Sequence, residues 1–139
     1  MIRKFEPFDL FAVTPQSAQE ADAAQADVSS AVLLAAQDSY TCESGGVVHA
    51  VGGVAKVSEH RGYVWSIIGT DAGPHMLEIY RTALAMVNES QFKRLEMDVV
   101  CGFSQGIRFA EMLGFTCEAL CMRGYKPDGS DASLFARVK

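Results

Sequence analysis

The most constraining feature of this chain is a helical pattern set between two strand patterns. Met76, Tyr80, Ala83, Leu84 and Val87 recur at helical spacing, so one apolar face runs along a helix to about Glu89. Before it, Tyr63 to Ile68 is a run of aromatic and β-branched residues. After it, Lys93 to Val100 alternates, with Leu95, Met97 and Val99 on one side and Glu96, Asp98 and Val100 on the other. A strand, a helix and a second strand in one sheet join through a right-handed crossover, which makes the two strands parallel.

The remaining elements read as antiparallel additions around that unit. Ile2 to Glu6 alternates and Pro7 ends it; Phe8 to Phe11 makes one helical turn. Pro15 to Ala26, after a Thr14 cap, is rich in helix formers. Val28 to Gln37 is a second helix capped by Asp27 or Ser29, with Val32, Leu33 and Ala36 on one side. Tyr40 to Glu43 and Val47 to Val57 form a hairpin around Ser44-Gly45-Gly46, and Ser58 to Gly62 is the next turn. Gly52-Gly53 marks either a bulge or a close backbone approach. Phe103 to Leu113 is a short helix closed by Gly114. Thr116 to Arg123 and Ala132 to Val138 pair last, joined across Pro127-Asp128-Gly129, a strong turn signal.

With 139 residues, 49% hydrophobic and 21% charged, the chain suits one domain, spanning residues 1–139, with a substantial core. The uncharged stretch Val28 to Gln37 is about half a membrane span. The first seven residues lack a signal peptide's apolar run. The expected setting is therefore the cytoplasm, with no membrane contact. Residues 1–46 carry two basic and seven acidic side chains, whereas residues 47–139 carry ten of each. No basic stripe exists to meet a phosphate backbone, which argues against nucleic acid. Cys42, Cys101, Cys117 and Cys121 show no C-x-x-C spacing and read as buried free thiols. His49, His60 and His75 lie far from them in sequence, so no metal site is expected.

Gly69-Thr70-Asp71-Ala72-Gly73-Pro74-His75 connects the apolar strand to the long helix. Amides at a helix start, together with the positive end of its dipole, favour an anion such as a pyrophosphate. The segment lacks both a Walker lysine and G-x-G-x-x-G, which disfavours nucleoside triphosphates and dinucleotides.

The order of elements resembles the GNAT superfamily of acyl-CoA-dependent N-acetyltransferases over nearly the whole chain. Its sharpest part is Arg108-Phe109-Ala110-Glu111-Met112-Leu113-Gly114-Phe115 followed by Cys117-Glu118, similar to that superfamily's closing helix and "LGF…E" strand entry. Met122 to Gly129 and Leu134 to Val138 complete a similar terminal hairpin. Val64-Trp65-Ser66-Ile67-Ile68-Gly69, with Ala72 to Leu77, resembles GNAT-like proteins of phages and prophages. A more distant resemblance is to podovirus-type morphogenesis proteins, or internal virion proteins.

The resemblance implies an α/β (α+β) fold, a mixed, largely antiparallel twisted sheet flanked by helices, with its fourth and fifth strands splayed apart. It implies acetyl-CoA as cosubstrate, its pantetheine arm lying along Trp65, Ile67, Ile68 and Gly69 and its pyrophosphate over Ala72, Gly73, His75 and Met76. An acceptor amine, on a small molecule or a protein, would attack the thioester directly while a base removes its proton and an acid protonates the sulfur. The alternative is an inactive GNAT-like phage structural or assembly protein, whose partners are other phage proteins. A homodimer is compatible with either. Thr70-Asp71-Ala72-Gly73-Pro74 stands where the superfamily carries Arg or Gln followed by Gly-x-Gly, and Phe103 and Ala110 stand where it often carries Asn and Tyr. That leaves Glu96, Asp98 and Glu59 as base candidates, Tyr125 as the acid candidate, and His75 at the helix start as either a neutral base or an inert cap.

Overall fold

The computed structural model describes all residues, Met1–Lys139. Seven strands form one sheet in the order β1-β2-β3-β4-β5-β7-β6. They are β1 (Ile2–Lys4), β2 (Ser39–Ser44), β3 (Val47–Lys56), β4 (Arg61–Ile68), β5 (Arg94–Val100), β6 (Thr116–Met122) and β7 (Ala132–Val138). Four helices accompany them: α1 (Glu20–Ala24), α2 (Val28–Ala35), α3 (Met76–Glu89) and α4 (Ser104–Met112), with short 3-10 turns at Pro7–Phe11, Ser17–Gln19 and Gly73–His75. Every neighbouring pair is antiparallel except β4 and β5, which are parallel as the crossover through α3 requires.

That single parallel pairing shapes the molecule. β4 and β5 are in register only at Arg61–Arg94, Gly62–Leu95 and Tyr63–Glu96. Beyond Tyr63 each strand keeps its other partner, β4 with β3 as far as Ile68 and β5 with β7 as far as Val100. The two halves of the sheet therefore part into a V that opens toward Gly69.

Alternation along the strands sends side chains to two cores. On one face Val64, Ile68, Leu95, Met97 and Val99 pack with Ile79, Ala83 and Val87 of α3 and with Phe109 and Ala110 of α4. Ile79 is fully buried, so truncating it to Ala would cost about 2–5 kcal/mol. On the other face Val48, Val51 and Ile67 pack with Phe5, Leu10, Val13 and Ala31, and half-buried Trp65 joins them.

Several expectations need correction. Pro15 does not start a helix; it bridges to Gly69, and α1 begins only at Glu20. α2 buries Ala31 and leaves Val32 and Leu33 exposed. Its sequence VSSAVLLA is apolar on several sides, so the pattern alone did not choose a face. At Gly52-Gly53 the register is unbroken, and the bulge of this hairpin lies between Cys42 and Glu43. The glycines serve close approach: a Cβ on Gly53 would stand 2.3 Å from the Asp38 carbonyl oxygen, and one on Gly52 would strike the Tyr40 ring. Cys101 and Cys121 form a disulfide with Cα atoms 5.7 Å apart, and Cys117 is exposed, so only Cys42 is the expected buried thiol. Spacing within one strand could not show this, because Cys101 lies at the end of β5, across β7 from β6. No helix is long and apolar enough to cross a membrane.

Candidate functional site: the cleft between β4 and β5

Where the V opens, a cleft of about 820 Å³ lies between the parted strands, a volume suited to a ligand of cofactor size. β4 supplies Tyr63 through Ile68, followed by Gly69; β5 supplies Met97 through Val100; and Gln16 to Gln19 with Asp22 form a wall. Phe103 and Phe109 line the cleft without filling it, and Met112 takes no part.

The open edge of β4 carries main-chain groups that a strand or an amide ligand would use. Gln19 already occupies two of them. Its side-chain amide donates to the Ser66 carbonyl at 2.9 Å and accepts from the Ile68 amide at 2.9 Å. Gln16 donates to the Ile68 carbonyl at 3.2 Å. Behind them Thr70 donates its amide to the Thr14 carbonyl at 3.0 Å. The segment from Thr14 to Gln19 thus lies against β4 much as a short strand would, closing backbone groups that the splay leaves open.

The turn from Gly69 to Met76 does not present the cluster of free amides expected from sequence. Gly69 donates to His49, Thr70 to Thr14, Ala72 to Gly69, and His75 to Ala72. The Met76 amide bonds the Gly73 carbonyl, and Pro74 has no amide proton. Turn and 3-10 geometry pairs Ala72, His75 and Met76 each with a carbonyl three residues back, while Gly69 and Thr70 reach the neighbouring segments at His49 and Thr14. Asp71, half-exposed, faces His49 Nδ1 at 3.1 Å. Trp65 stands edge-on to Phe5 at 5.4 Å, with its buried indole N–H unpaired. Ile67, Ile68, Gly69, Ala72, Gly73 and Met76 line the cleft with Trp65, whereas His75 does not.

Of the acid and base candidates, Asp98 lines the cleft, whereas Glu96, Glu59 and Tyr125 do not. Glu96 lies at the closed end of the V, paired with Arg61 at 2.8 Å and Arg94 at 3.4 Å. Glu59 is exposed in the β3–β4 turn, at the end of β4 remote from Gly69. Tyr125 is half-exposed on the β6–β7 connection. The polar centre of the cleft is instead Asp98, one of the weighed base candidates, with Tyr63, Lys126 and Asp22. Asp98 accepts from the Tyr63 hydroxyl and, at 2.6 Å, from Lys126; the same ammonium holds Asp22 of α1 at 2.8 Å. The Lys126 and Asp98 side chains are only 8% and 5% exposed, so this is a buried charge pair. Burial opposes the charge on Lys126, yet its bonds to Asp22 and Asp98 prevail and leave its pKa raised. Burial, then the Asp98 carboxylate, holds the Tyr63 hydroxyl well above its ordinary pKa, so it stays protonated at neutral pH.

Tyr63 and Lys126 were missed for different reasons. Tyr63 is two residues from Trp65 on the same face of β4, a signal that alternation offered. Lys126 sits inside a turn signal, and nothing local announces a lysine that folds back onto β5.

This sheet order, with its one parallel splay, is the fold of the GNAT acetyltransferases. Ard1 from Thermoplasma volcanium superimposes with a TM-score of 0.75 at 18% identity, over 99% of this chain and 96% of that one. YncA from Salmonella typhimurium, solved with its cofactor acetyl-CoA, gives a TM-score of 0.75 at 12% identity over 99% and 92% of the two chains. The ribosomal-protein-alanine N-acetyltransferase of Brucella melitensis gives 0.70 at 12% identity over 100% and 99%. No family model matches the sequence, and no curated protein sequence matches it.

Proposed function

We propose that this protein is an acyl-CoA-dependent N-acetyltransferase acting on an amine acceptor, with acetyl-CoA as the acyl donor. The observation that carries the reading is the β4 edge. Ser66 and Ile68 hold an amide, that of Gln19, with one carbonyl and one N–H, the pair of bonds a pantetheine amide requires. The cleft leads from that edge to Tyr63 and Asp98 at the crotch of the V, five residues down β4 from Ile68, or about 16 Å.

The residues at the crotch have the chemistry that acyl transfer needs. When bound, acetyl-CoA supplies an activated thioester. Asp98 is the group that accepts the amine proton, and Lys126, donating to it at 2.6 Å, fixes its position. Tyr63 retains the proton that a departing thiolate needs. Tyr63 and Asp98 thus replace Tyr125, Glu96 and Glu59 in the acid and base roles. The pyrophosphate end fits less well: its amides are mostly spent, and Asp71 is the only charged side chain of the turn. Trp65, Ile67, Gly69, Ala72, Gly73 and Met76 supply walls there rather than donors.

That same observation favours a second reading, an inactive GNAT-like assembly protein. The attribution to a phage or prophage and the cytoplasmic setting rest on the sequence. Calorimetry with acetyl-CoA, followed by thiol release with small amines and peptide N-termini, separates the readings. Binding with turnover that falls at least a hundredfold in Asp98→Asn supports the transferase. Absence of heat and of thermal stabilisation at millimolar acetyl-CoA leaves the assembly role.

A further inference from the structure

We propose that Cys42, His75 and Glu78 form a binding site for one zinc-class transition-metal ion where β2 meets the start of α3. Sequence separation hid this group, because a strand and a helix more than thirty residues apart bring the three together. One ligand atom from each lies within 4.8 Å of the other two. A tetrahedral ion with bonds of about 2.3 Å to sulfur and about 2.0–2.1 Å to nitrogen or oxygen sets its ligands about 3.5 Å apart. Closing the group onto an ion therefore asks for shifts of order 1 Å and for the Met1 ammonium, 3.5 Å from Glu78 Oε2, to give up that carboxylate.

The donor set selects the metal class. A thiolate and an imidazole disfavour magnesium and calcium, which prefer all-oxygen shells, and together with a carboxylate they suit zinc. His75 and Glu78 are three residues apart at the start of α3, so they share a face. Cys42 is fully buried in the strand beneath them. On binding, the sulfur–metal bond forms as the thiol proton leaves to water.

The imidazole is already held in place. Its ring stacks on the buried His49 ring at 4.3 Å. Ser44 Oγ lies 2.7 Å from His49 Nε2 and 3.4 Å from His75 Nε2, and His49 Nδ1 faces Asp71 at 3.1 Å. Stacking on His49 and the Ser44 hydroxyl fix the plane of the His75 ring, and a hydroxyl on the ring is one of the outer contacts that orient a metal-bound histidine. The ion would fasten β2 to the turn that ends at His75. This site is independent of acetyl transfer, since it uses no atom of the cleft's polar centre.

The test is titration with cobalt(II) in a Cys117→Ser chain, which removes the exposed thiol. One equivalent should bind with a thiolate-to-cobalt charge-transfer band in the near ultraviolet, and zinc should displace it. Affinity should fall at least tenfold in His75→Ala and in Glu78→Gln, and the band should vanish in Cys42→Ser. No such band at saturating cobalt, or a band indifferent to His75→Ala and Glu78→Gln, overturns the proposal. Should Cys42→Ser fail to fold, the other two variants decide, because both change partly exposed side chains.

Discussion

Lys126 donates to Asp98 at 2.6 Å across the floor of the cleft, and the contact joins the β6–β7 connection to the middle of β5. With both side chains nearly sealed from water, the pair is exposed to the asymmetry of buried charges. Removing one member leaves the other without compensation and costs about 3–5 kcal/mol. Lys126→Met should therefore lower the unfolding free energy by about 3 kcal/mol. Adding Asp98→Asn should recover much of that loss. Urea unfolding of the two variants checks this, and a loss below about 1 kcal/mol in Lys126→Met would show that water reaches the pair.

The same cluster sets an alkaline limit. Lys126 has a raised folded pKa, so its stabilisation is complete below the unfolded lysine value of about 10.4 and is lost as pH rises through the folded one. Tyr63, also raised, works in the same direction: above about pH 10 the unfolded tyrosine ionises while the folded one resists. Stability should hold to about pH 10 and fall as the pH rises beyond it, less steeply in Tyr63→Phe. Unfolding curves across that range with equal slopes in the two proteins would rule Tyr63 out as a source.

The architecture was legible because periodicity is a local signal and the crossover rule is a strong one. The helix 76–89, the alternation of Leu95, Met97 and Val99 and the Pro127-Asp128-Gly129 turn placed α3, β5 and the last hairpin. The polar site was mostly hidden, since Asp22, Tyr63, Asp98 and Lys126 come from four separate elements and no spacing relates them. Asp98 was visible as a strand carboxylate, but alternation ranked it equal with Glu96. What separated them is position along the V: Glu96 falls in the last paired rung, where Arg61 and Arg94 neutralise it, and Asp98 falls just beyond it. The spent amides after Gly69 were not legible, because the sequence shows where α3 runs but not that a 3-10 turn at Gly73–His75 precedes it.

The Cys101–Cys121 disulfide closes a separation of 20 residues. Loop-closure entropy for that length is worth about 3 kcal/mol. Cys101→Ser or chemical reduction should lower the unfolding free energy by that amount, measured in urea with and without reductant. Cytosolic thiols are kept reduced, so a chain in that compartment should behave as the reduced form. Identical midpoints in the two conditions would mean that the bridge adds nothing to stability.

Gln19 offers the most direct test of the cleft. Its amide makes two neutral hydrogen bonds to β4, each worth about 1 kcal/mol net. A ligand amide that takes the Ser66 carbonyl and the Ile68 N–H must first displace it. Gln19→Ala should therefore tighten acetyl-CoA binding by about tenfold, the factor that corresponds to roughly 1.4 kcal/mol. Gln19→Glu should fall between, because a carboxylate still accepts from Ile68 but cannot donate to Ser66. Calorimetric titration of the three proteins reads the order. Weaker binding in Gln19→Ala would reverse the assignment, making Gln19 a ligand contact rather than a competitor for the strand edge.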